Sequence, residues 1–490
     1  MKLKNFPTLI LVFGLPFSIS TTALAQTQTS QTQTLPAITQ QALLSNPEIL
    51  SRWQAYQAAR NERDVISGGL RPRVDFSAGV GRERLREQFQ DADFNRHSAA
   101  LTLTQLLYDG SARKNEVQQS HHQSMVRLFE FYNSSETVAL EVTRAFFDVL
   151  RYRKLLSLAE DNYVQHKAVY EQIQNKVKAG VARRVDLEQA AGRLALSDAN
   201  LVTEGANLYD VSSRFQRVVG ILPGKDLKAE VVLERDLPPT AVSALRAAIS
   251  RHPGLRAAIE NVRSAEAAAK GQQANYSPRF DLRLSSQYDN HLDGRSGSRR
   301  DNLAQVVMSW NLYNGGSDKS KIRQYADLLN QAYAERDRAC VDVRQNLSIA
   351  YNEARKQAEQ LTYLDQHQLA IDKAKQAYRK QFEIGQRTLL DVLDTENELF
   401  QARRSYTNAE YDLQIAYARA HAGYGDLVQT LNSKVKSAAE LANELPDVLR
   451  EPLGDAVARC APETPDQFPV NKEALDQRAR DLIKNDGLSK

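Results

Sequence analysis

The feature that most constrains the fold of this chain is an internal duplication, in which landmarks recur 205 or 206 residues apart. Each landmark contains proline or glycine, residues that shape the backbone locally. A register that drifts by only one residue across the whole unit is typical of a tandem repeat, so we expect one supersecondary unit built twice. The matching pairs are Asn46-Pro47 with His252-Pro253, residues 72–76 with 278–282, residues 107–110 with 312–315, and Gly180 and Asp186 with Gly385 and Asp391.

Within each copy, long stretches without proline predict helices. No proline occurs between residues 73 and 222 or between 279 and 445, and Ala, Leu, Gln, Glu, Lys and Arg are abundant there. These residues favour helix. One block of 68 residues would be about 100 Å long as a single helix, a length typical of coiled coils or stacked helical barrels. The six predicted helical blocks are residues 38–66, 111–178, 185–218, 241–272, 317–382 and 389–427.

Each copy also contains two short segments in which apolar and polar residues alternate. In the first, Val74, Phe76 and Val80 alternate with small or polar residues. A period of two over about ten residues is the weak signature of a membrane-barrel strand, and a pair of soluble hairpins is the alternative. The predicted strands are about 73–83, 98–107, 279–288 and 301–312, with loops expected at the polar spacers 82–96 and 288–300.

The N-terminal residues 1–25 have the pattern of a secretory signal peptide. Lys2 and Lys4 precede an apolar run at residues 8–17, and Ala23-Leu24-Ala25 forms a small-x-small cleavage site. That run is too short to span a bilayer, and no later stretch reaches the ~18 apolar residues that a transmembrane helix needs. We therefore expect export, and any membrane segment must consist of strands. The net charge of +4 over 490 residues predicts no nucleic-acid partner.

Four strands are too few to close a barrel in lipid, because the smallest membrane barrels use eight. An open edge would leave unpaired N–H and C=O groups at a cost of several kcal/mol each. Two chains would give eight strands, which enclose room only for their own side chains, whereas three chains would leave a lumen. A conduit therefore predicts a homotrimer surrounded by outer-membrane lipid, in a fold that is mainly α with a membrane β-barrel portion.

The sequence Gly-Gln-Arg-Thr-Leu-Leu-Asp-Val-Leu-Asp at residues 385–394 is similar to the G-x-R-T-x-x-D-V-L-D turn of the TolC family of outer-membrane efflux and type I secretion channel proteins. Residues 312–316, and Gly180-Val181 with Asp186, also resemble that family. The resemblance spans a first repeat at 36–222 and a second at 238–430, and leaves a C-terminal extension at 433–490. It implies a trimeric 12-stranded β-barrel continued by a long periplasmic α-helical barrel.

The resemblance also implies a function and partners. The protein would be the exit duct of a tripartite export system, passing proteins or small molecules outward, with type I secretion slightly favoured over drug efflux. Its partners would be a periplasmic adaptor (membrane fusion protein), contacted at the tip turns holding Gly180 and Gly385, and an inner-membrane transporter, either ABC or proton-driven. Such a duct is not an enzyme and needs no cofactor or metal.

Two carboxylates near the second turn are the main candidate site residues. Asp391 and Asp394 lie three residues apart and therefore on one helix face. In a three-fold assembly they would form a negative ring that favours cations, and the resemblance implies that they are the channel selectivity ring. Thr388 followed by Asp391 is also a capping-box pattern, so we expect both roles together.

Two further residues match positions that close the tunnel in the TolC family. They are Arg387 and Asp186, and the resemblance implies that they join neighbouring coiled coils. The chain departs from the family pattern at Phe382 and Val185, where a tyrosine and a threonine would form hydrogen bonds. Each missing bond would weaken closure by about 1 kcal/mol.

Some features allow more than one interpretation. Cys340 and Cys460 either pair or remain free thiols, and the C-terminal extension either wraps the tunnel or is partly disordered. A periplasmic adaptor is an alternative function, but it would need a single nested hairpin rather than a tandem duplication. A structural coiled-coil protein is another, but it would leave the alternating segments unexplained.

Overall fold

The computed structural model describes residues 33–87, 90–234, 237–292, 296–433, 460–463 and 470–485. The signal peptide predicted at residues 1–25 lies outside these residues. Each repeat contributes two short helices, two long strands and two long helices in that order. The first repeat contains α1 (Leu35–Ser45), α2 (Pro47–Gly68), α3 (Ala112–Lys178) and α4 (Arg184–Val219), and the second contains α5 (Ala241–Arg251), α6 (Pro253–Gln273), α7 (Ser317–Glu383) and α8 (Leu389–Tyr424).

The helix lengths repeat between the two copies. Helices α3 and α7 have 67 residues each, and α4 and α8 have 36 residues each. A 67-residue α-helix is about 100 Å long. The predicted mainly helical fold with long helical hairpins is therefore confirmed. Among the helices of the described ranges, none is both long and apolar enough to cross a membrane.

The prediction of one continuous helix at residues 38–66, and of another at 241–272, was wrong. Each is split before a proline, at Asn46 and at His252, whose ψ angles of 125° and 119° are not helical. A proline ring clashes with a helical conformation at the preceding residue, so the chain breaks there and starts a new helix with proline in its first turn. Side-chain acceptors cap the new helices: Asn46 Oδ1 lies 2.9 Å from the backbone nitrogen of Glu48.

The alternating segments form one antiparallel four-stranded sheet. Its strands are β2 (Arg73–Glu87), β3 (Gln90–Tyr108), β5 (Arg279–Asn290) and β6 (Ser298–Ser309), in the order β2-β3-β5-β6. The register pairs Phe76 with Leu101, and Leu103 with Leu284. The two hairpins of the two repeats are therefore neighbours, and β2 and β6 form the two edges of the sheet.

The prediction of a loop at residues 82–96 was wrong, because both strands of the first hairpin continue through most of this segment. Cross-strand charge pairs explain the extension. The guanidinium of Arg82 makes two hydrogen bonds of 2.8 Å to the carboxylate of Asp93, and Arg86 lies 4.0 Å from Asp91. Arg86 and Asp91 face each other and Arg82 and Asp93 are diagonal neighbours, and opposite charges at such positions stabilise a strand pair. The polar residues of this segment therefore belong to a solvated two-stranded ribbon and not to a loop.

The main apolar core lies where the helices of both repeats meet, midway along α3. Phe131, Phe146 and Phe215 are buried there with residues of α1 and α8. Three small elements also lie at this core. They are the two-residue strands β1 (Gln33–Thr34) and β4 (Leu227–Lys228), which pair in parallel, and the short helix α9 (Leu427–Thr430).

The C-terminal extension is attached to α7 by a disulfide bond. Cys340 of α7 pairs with Cys460, with 5.8 Å between their Cα atoms, so the two cysteines are not free thiols. Further along the tail, helix α10 (Lys472–Asn485) places the Lys472 ammonium 4.9 Å from the ring centre of Tyr363 on the same helix α7. The described part of the extension therefore contacts α7 at two places, Cys340 and Tyr363.

Candidate functional site

The two long helical hairpins end in turns of identical construction. Gly180 and Gly385 follow α3 and α7 with φ angles of 74° and 77°, a left-handed conformation that glycine adopts without strain. The backbone nitrogens of the residues after each glycine, Val181 and Gln386, donate to carbonyls five residues earlier over 2.9 and 2.8 Å. This is the Schellman motif, which satisfies the last carbonyls of a helix.

The turns are held at the same end of the molecule by a small apolar cluster. Ile173 of α3, Ala190 of α4 and Leu393 of α8 are buried in it, and Phe382 of α7 packs against them. All four long helices therefore meet just behind the turns, which places the predicted site residues of both repeats in one region.

Asp391 caps the start of α8. Its carboxylate accepts hydrogen bonds from the backbone nitrogen and the hydroxyl of Thr388 at 3.0 and 2.8 Å, and its own nitrogen donates to the Thr388 hydroxyl oxygen over 3.3 Å. The backbone hydrogen bond, then the hydroxyl, and then nearby Arg387 hold the pKa of Asp391 below its usual value. The capping role expected from the sequence is therefore present, and the group is anionic at neutral pH.

Asp394, one turn further along α8, forms an ion pair with another helical hairpin. Its carboxylate contacts the guanidinium of Arg193 on α4, and both side chains remain partly exposed. A second ion pair joins the same two helices deeper in the molecule, where Arg404 lies 2.7 Å from the buried Glu204. These pairs connect the hairpin of the first repeat to that of the second.

The two residues predicted to close the tunnel are paired with different partners within the chain. The guanidinium of Arg387 stacks 4.3 Å from the ring centre of Tyr378, donates to Gln381 over 3.2 Å and lies 3.9 Å from Asp391. Asp186 lies 3.0 Å from Arg183 at the start of its own helix. The structure thus brings Arg387 together with Asp391 but does not bring it to Asp186.

The two departures from the family pattern occupy different surroundings. Phe382 packs in the apolar cluster behind the turns, with the Lys176 ammonium 5.5 Å from its ring centre. Val185 is 63% exposed and is not part of that cluster. Phe382 therefore makes apolar and cation–π contacts at the position where a tyrosine hydroxyl would make a hydrogen bond.

Arg193 is the residue of this site that sequence reasoning missed. It lies 201 residues before Asp394, and no motif or spacing connects the two positions. Only the packing of α4 against α8 brings them together. Within the described ranges, no group of three or more His, Cys, Asp or Glu side chains is arranged to hold a metal ion.

Comparison with known proteins adds to this geometry. The family model for outer membrane efflux proteins matches residues 38–220 and 244–422, one match for each repeat. Among curated proteins, the chain is 24% identical over 391 residues to the outer membrane efflux protein BepC of Brucella suis, covering 79% of this chain and 84% of BepC. It is 24% identical over 474 residues to the outer membrane protein TolC of Escherichia coli, covering 92% of each.

A secretion protein and a solved channel structure are also similar. The alkaline protease secretion protein AprF of Pseudomonas aeruginosa is 24% identical over 403 residues, covering 77% of this chain and 81% of AprF. The structure of the outer-membrane channel OprN superposes with a TM-score of 0.71 at 20% identity, covering 80% of this chain and 89% of OprN.

Proposed function

The chain belongs to the outer membrane efflux protein family, and from this premise we propose that three copies of it form the outer-membrane exit duct of a tripartite export system. The protein is an outer-membrane protein of the TolC type with a long periplasmic helical part. The similar proteins are named as efflux and secretion proteins, and the proposed role is transport rather than catalysis.

The single observation that carries the proposal is a sheet of only four strands with two open edges, attached to helices 67 residues long. One face of the sheet exposes apolar side chains; Phe76 is 72% exposed and Val80 is 82% exposed. Exposed apolar faces and unpaired strand edges both cost free energy. Lipid would cover the apolar face, and pairing of β6 with β2 of the next chain would satisfy the hydrogen bonds of the two edges. Three chains give twelve strands, enough to surround a lumen.

At the other end, the hairpin turns would form the periplasmic tip. We assign Asp391 and Asp394 to a selectivity ring at that constriction, and Arg387 and Asp186 to its closure by contacts between neighbouring subunits. The contact of Arg387 with Asp391 supports a single gate that contains both sets.

The exposed turns suit contact with a periplasmic adaptor (membrane fusion protein). Apart from their two chain neighbours, Gly180 and Gly385 have no heavy atom within 4 Å of the position where a Cβ would stand, so both turn surfaces are open in the single chain. An inner-membrane transporter, ABC or proton-driven, would deliver cargo through that adaptor.

For the cargo, we favour type I secretion of a protein, since AprF is named for alkaline protease secretion. Efflux of small molecules is the second candidate, favoured by the name of BepC. Deleting the gene distinguishes them: loss of one or more proteins from the culture medium with unchanged drug susceptibility supports secretion, and the converse supports efflux.

The duct itself is tested by conductance in planar lipid bilayers. The purified protein is expected to insert as a trimer and to conduct ions, and the Arg387→Ser variant is expected to conduct more because closure is weakened. Arg217→Ser, which removes an exposed arginine far along α4, is the matched control and should conduct like the unaltered protein. A protein that gives no channels, and is recovered as a water-soluble monomer, would overturn the proposal.

A further inference from the structure

The structure places a guanidinium group beside each carboxylate of the proposed selectivity ring. Arg387 lies 3.9 Å from Asp391, and Arg193 contacts Asp394 directly. In a trimer, every anionic side chain of the ring would therefore have its own cation. A ring compensated in this way would have little net charge, unlike the strongly negative ring expected from the two aspartates alone.

The two compensating arginines are attached to different parts of the chain. Arg387 lies in the turn that leads into α8, four residues before Asp391, so it moves with that carboxylate. Arg193 lies on α4, in the hairpin of the first repeat, whereas Asp394 lies on α8, in the hairpin of the second. Of the two pairs at the ring, only that of Arg193 with Asp394 would be broken if the two hairpins moved apart.

The exposure of this pair indicates what it can do. The side chains of Arg193 and Asp394 are 32% and 50% exposed, and solvent-exposed pairs contribute little to holding helices together. The pair of Arg404 with Glu204, whose side chain is only 2% exposed, joins the same two helices and is better placed to fix their packing. The contact at Asp394 therefore affects the local charge more than it affects closure.

We propose that Arg193 sets the charge of the selectivity ring according to the position of the two hairpins. While α4 packs against α8, Arg193 neutralises Asp394 and the constriction discriminates weakly between cations and anions. When the hairpins separate, Arg193 leaves with α4, the Asp394 carboxylates are uncovered, and the constriction becomes selective for cations. Arg193 is thus a specificity-determining residue of the channel, and this inference rests on the channel function proposed above.

The first test is ion selectivity, measured as the reversal potential of the trimer in a planar bilayer across a KCl gradient. Arg193→Gln is expected to shift the reversal potential toward the potassium equilibrium potential and to lower the Mg²⁺ concentration that half-blocks the current. Arg193→Lys keeps the charge and should behave like the unaltered protein. Arg217→Gln removes an arginine from the same helix far from the ring and should also have no effect.

A double substitution identifies the partner. If Arg193 acts through Asp394, the Arg193→Gln shift should disappear when Asp394→Asn is present in the same chain. A shift of undiminished size in the double variant would overturn the assignment, because the charge would then act on some other group.

Dependence on hairpin position is tested in the Arg387→Ser background, where closure is expected to be weakened. There Arg193→Gln should change the reversal potential less than it does in the unaltered protein, since Arg193 has already separated from Asp394. Shifts of equal size in the two backgrounds would overturn the state dependence.

The outcomes separate this inference from the proposed function. Channels whose selectivity is unchanged by Arg193→Gln would refute the role of Arg193 and leave the duct intact. A complete absence of channels from the unaltered protein would refute the duct itself. Trimer bands on gels, compared between Arg193→Gln and Arg193→Lys, show whether a variant has failed to assemble.

Discussion

Glu136 on α3 caps a helix from a distant part of the chain. Its carboxylate accepts hydrogen bonds from the first backbone nitrogens of α9, from Leu427 at 2.9 Å and from Val428 at 3.4 Å. The pKa of this carboxyl is raised from 4.5 to about 8, mainly by burial and also by nearby Asp426, against the lowering effect of the two backbone hydrogen bonds. A neutral carboxylic acid is therefore favoured over the anion at this position below pH 8.

This raised pKa predicts that the protein loses stability as the pH rises. Because the folded state holds the proton more tightly than the unfolded state, the stabilisation is complete below pH 4.5 and is lost as the pH rises through about 8. The contribution of this group to the free energy of unfolding falls by about 1.4 kcal/mol per pH unit in that window. Denaturant unfolding of the detergent-solubilised protein at pH 5, 6.5 and 8 measures it.

Glu136→Gln is the matched control, since an amide keeps an acceptor oxygen for the α9 nitrogens but does not titrate. The variant should show a flatter dependence of the unfolding free energy on pH than the unaltered protein. An unchanged slope would show that other groups cause the pH dependence.

At the scale of single elements, a glycine in the turn after α7 and a glycine inside α4 predict opposite effects of substitution by alanine. Gly385 has a φ of 77° and open space around its Cβ position, so Gly385→Ala should cost about 1–2 kcal/mol from backbone strain alone. Gly192 lies inside α4, also with open space, and Gly192→Ala should stabilise by up to about 1 kcal/mol through helix propensity. Thermal unfolding of both variants measures the difference, and effects of the same sign would contradict it.

The disulfide gives a prediction about the C-terminal extension. Cys340 and Cys460 are separated by 120 residues and lie in an apolar cluster with α5 residues such as Leu245. Breaking the bond with Cys460→Ser should destabilise the protein by about 2–4 kcal/mol and expose the extension to proteases. Limited proteolysis followed by mass spectrometry shows where the chain is cut, and cleavage elsewhere with the extension intact would argue against the tether. Ser433, outside the bridge, offers a control in Ser433→Ala.

The sequence predicted the elements well where local patterns determine them. The long helices and the alternating strands follow from periodicity and proline placement, and Thr388 and Asp391 form the cap that their spacing indicates. It failed before Pro47 and Pro253, where single continuous helices were expected, and it failed where tertiary contacts decide. The ion pair of Arg82 with Asp93 extends a hairpin through a polar segment, and the contact of Arg193 with Asp394 depends on packing between repeats, which no local pattern encodes.

At the scale of the whole molecule, the two repeats are joined in two ways that the duplication alone does not require. Strand β3 of the first copy pairs with β5 of the second over residues 97–108, so the two hairpins form a single sheet. The long hairpins are joined by α3 packing on α8, including an ion pair of 2.8 Å from Arg151 to Asp412. The two repeats of each chain are therefore joined at the sheet and midway along the long helices, and assembly adds whole chains rather than separate domains.

The sheet predicts which face must meet lipid, and neighbouring positions on β6 test it. Val306 shares the exposed apolar face of the sheet and pairs with Leu282, whereas Gln305 points to the opposite face and pairs with Arg283. If that apolar face meets lipid, Val306→Lys should destabilise the membrane-inserted protein by about 2–4 kcal/mol, whereas Gln305→Lys in the lumen should have little effect. Heat-modifiable trimer bands in outer-membrane fractions should then decrease for Val306→Lys alone. Equal loss from both variants would mean that the alternation does not separate lipid from lumen, and a barrel shared between three chains would lose its main physical support.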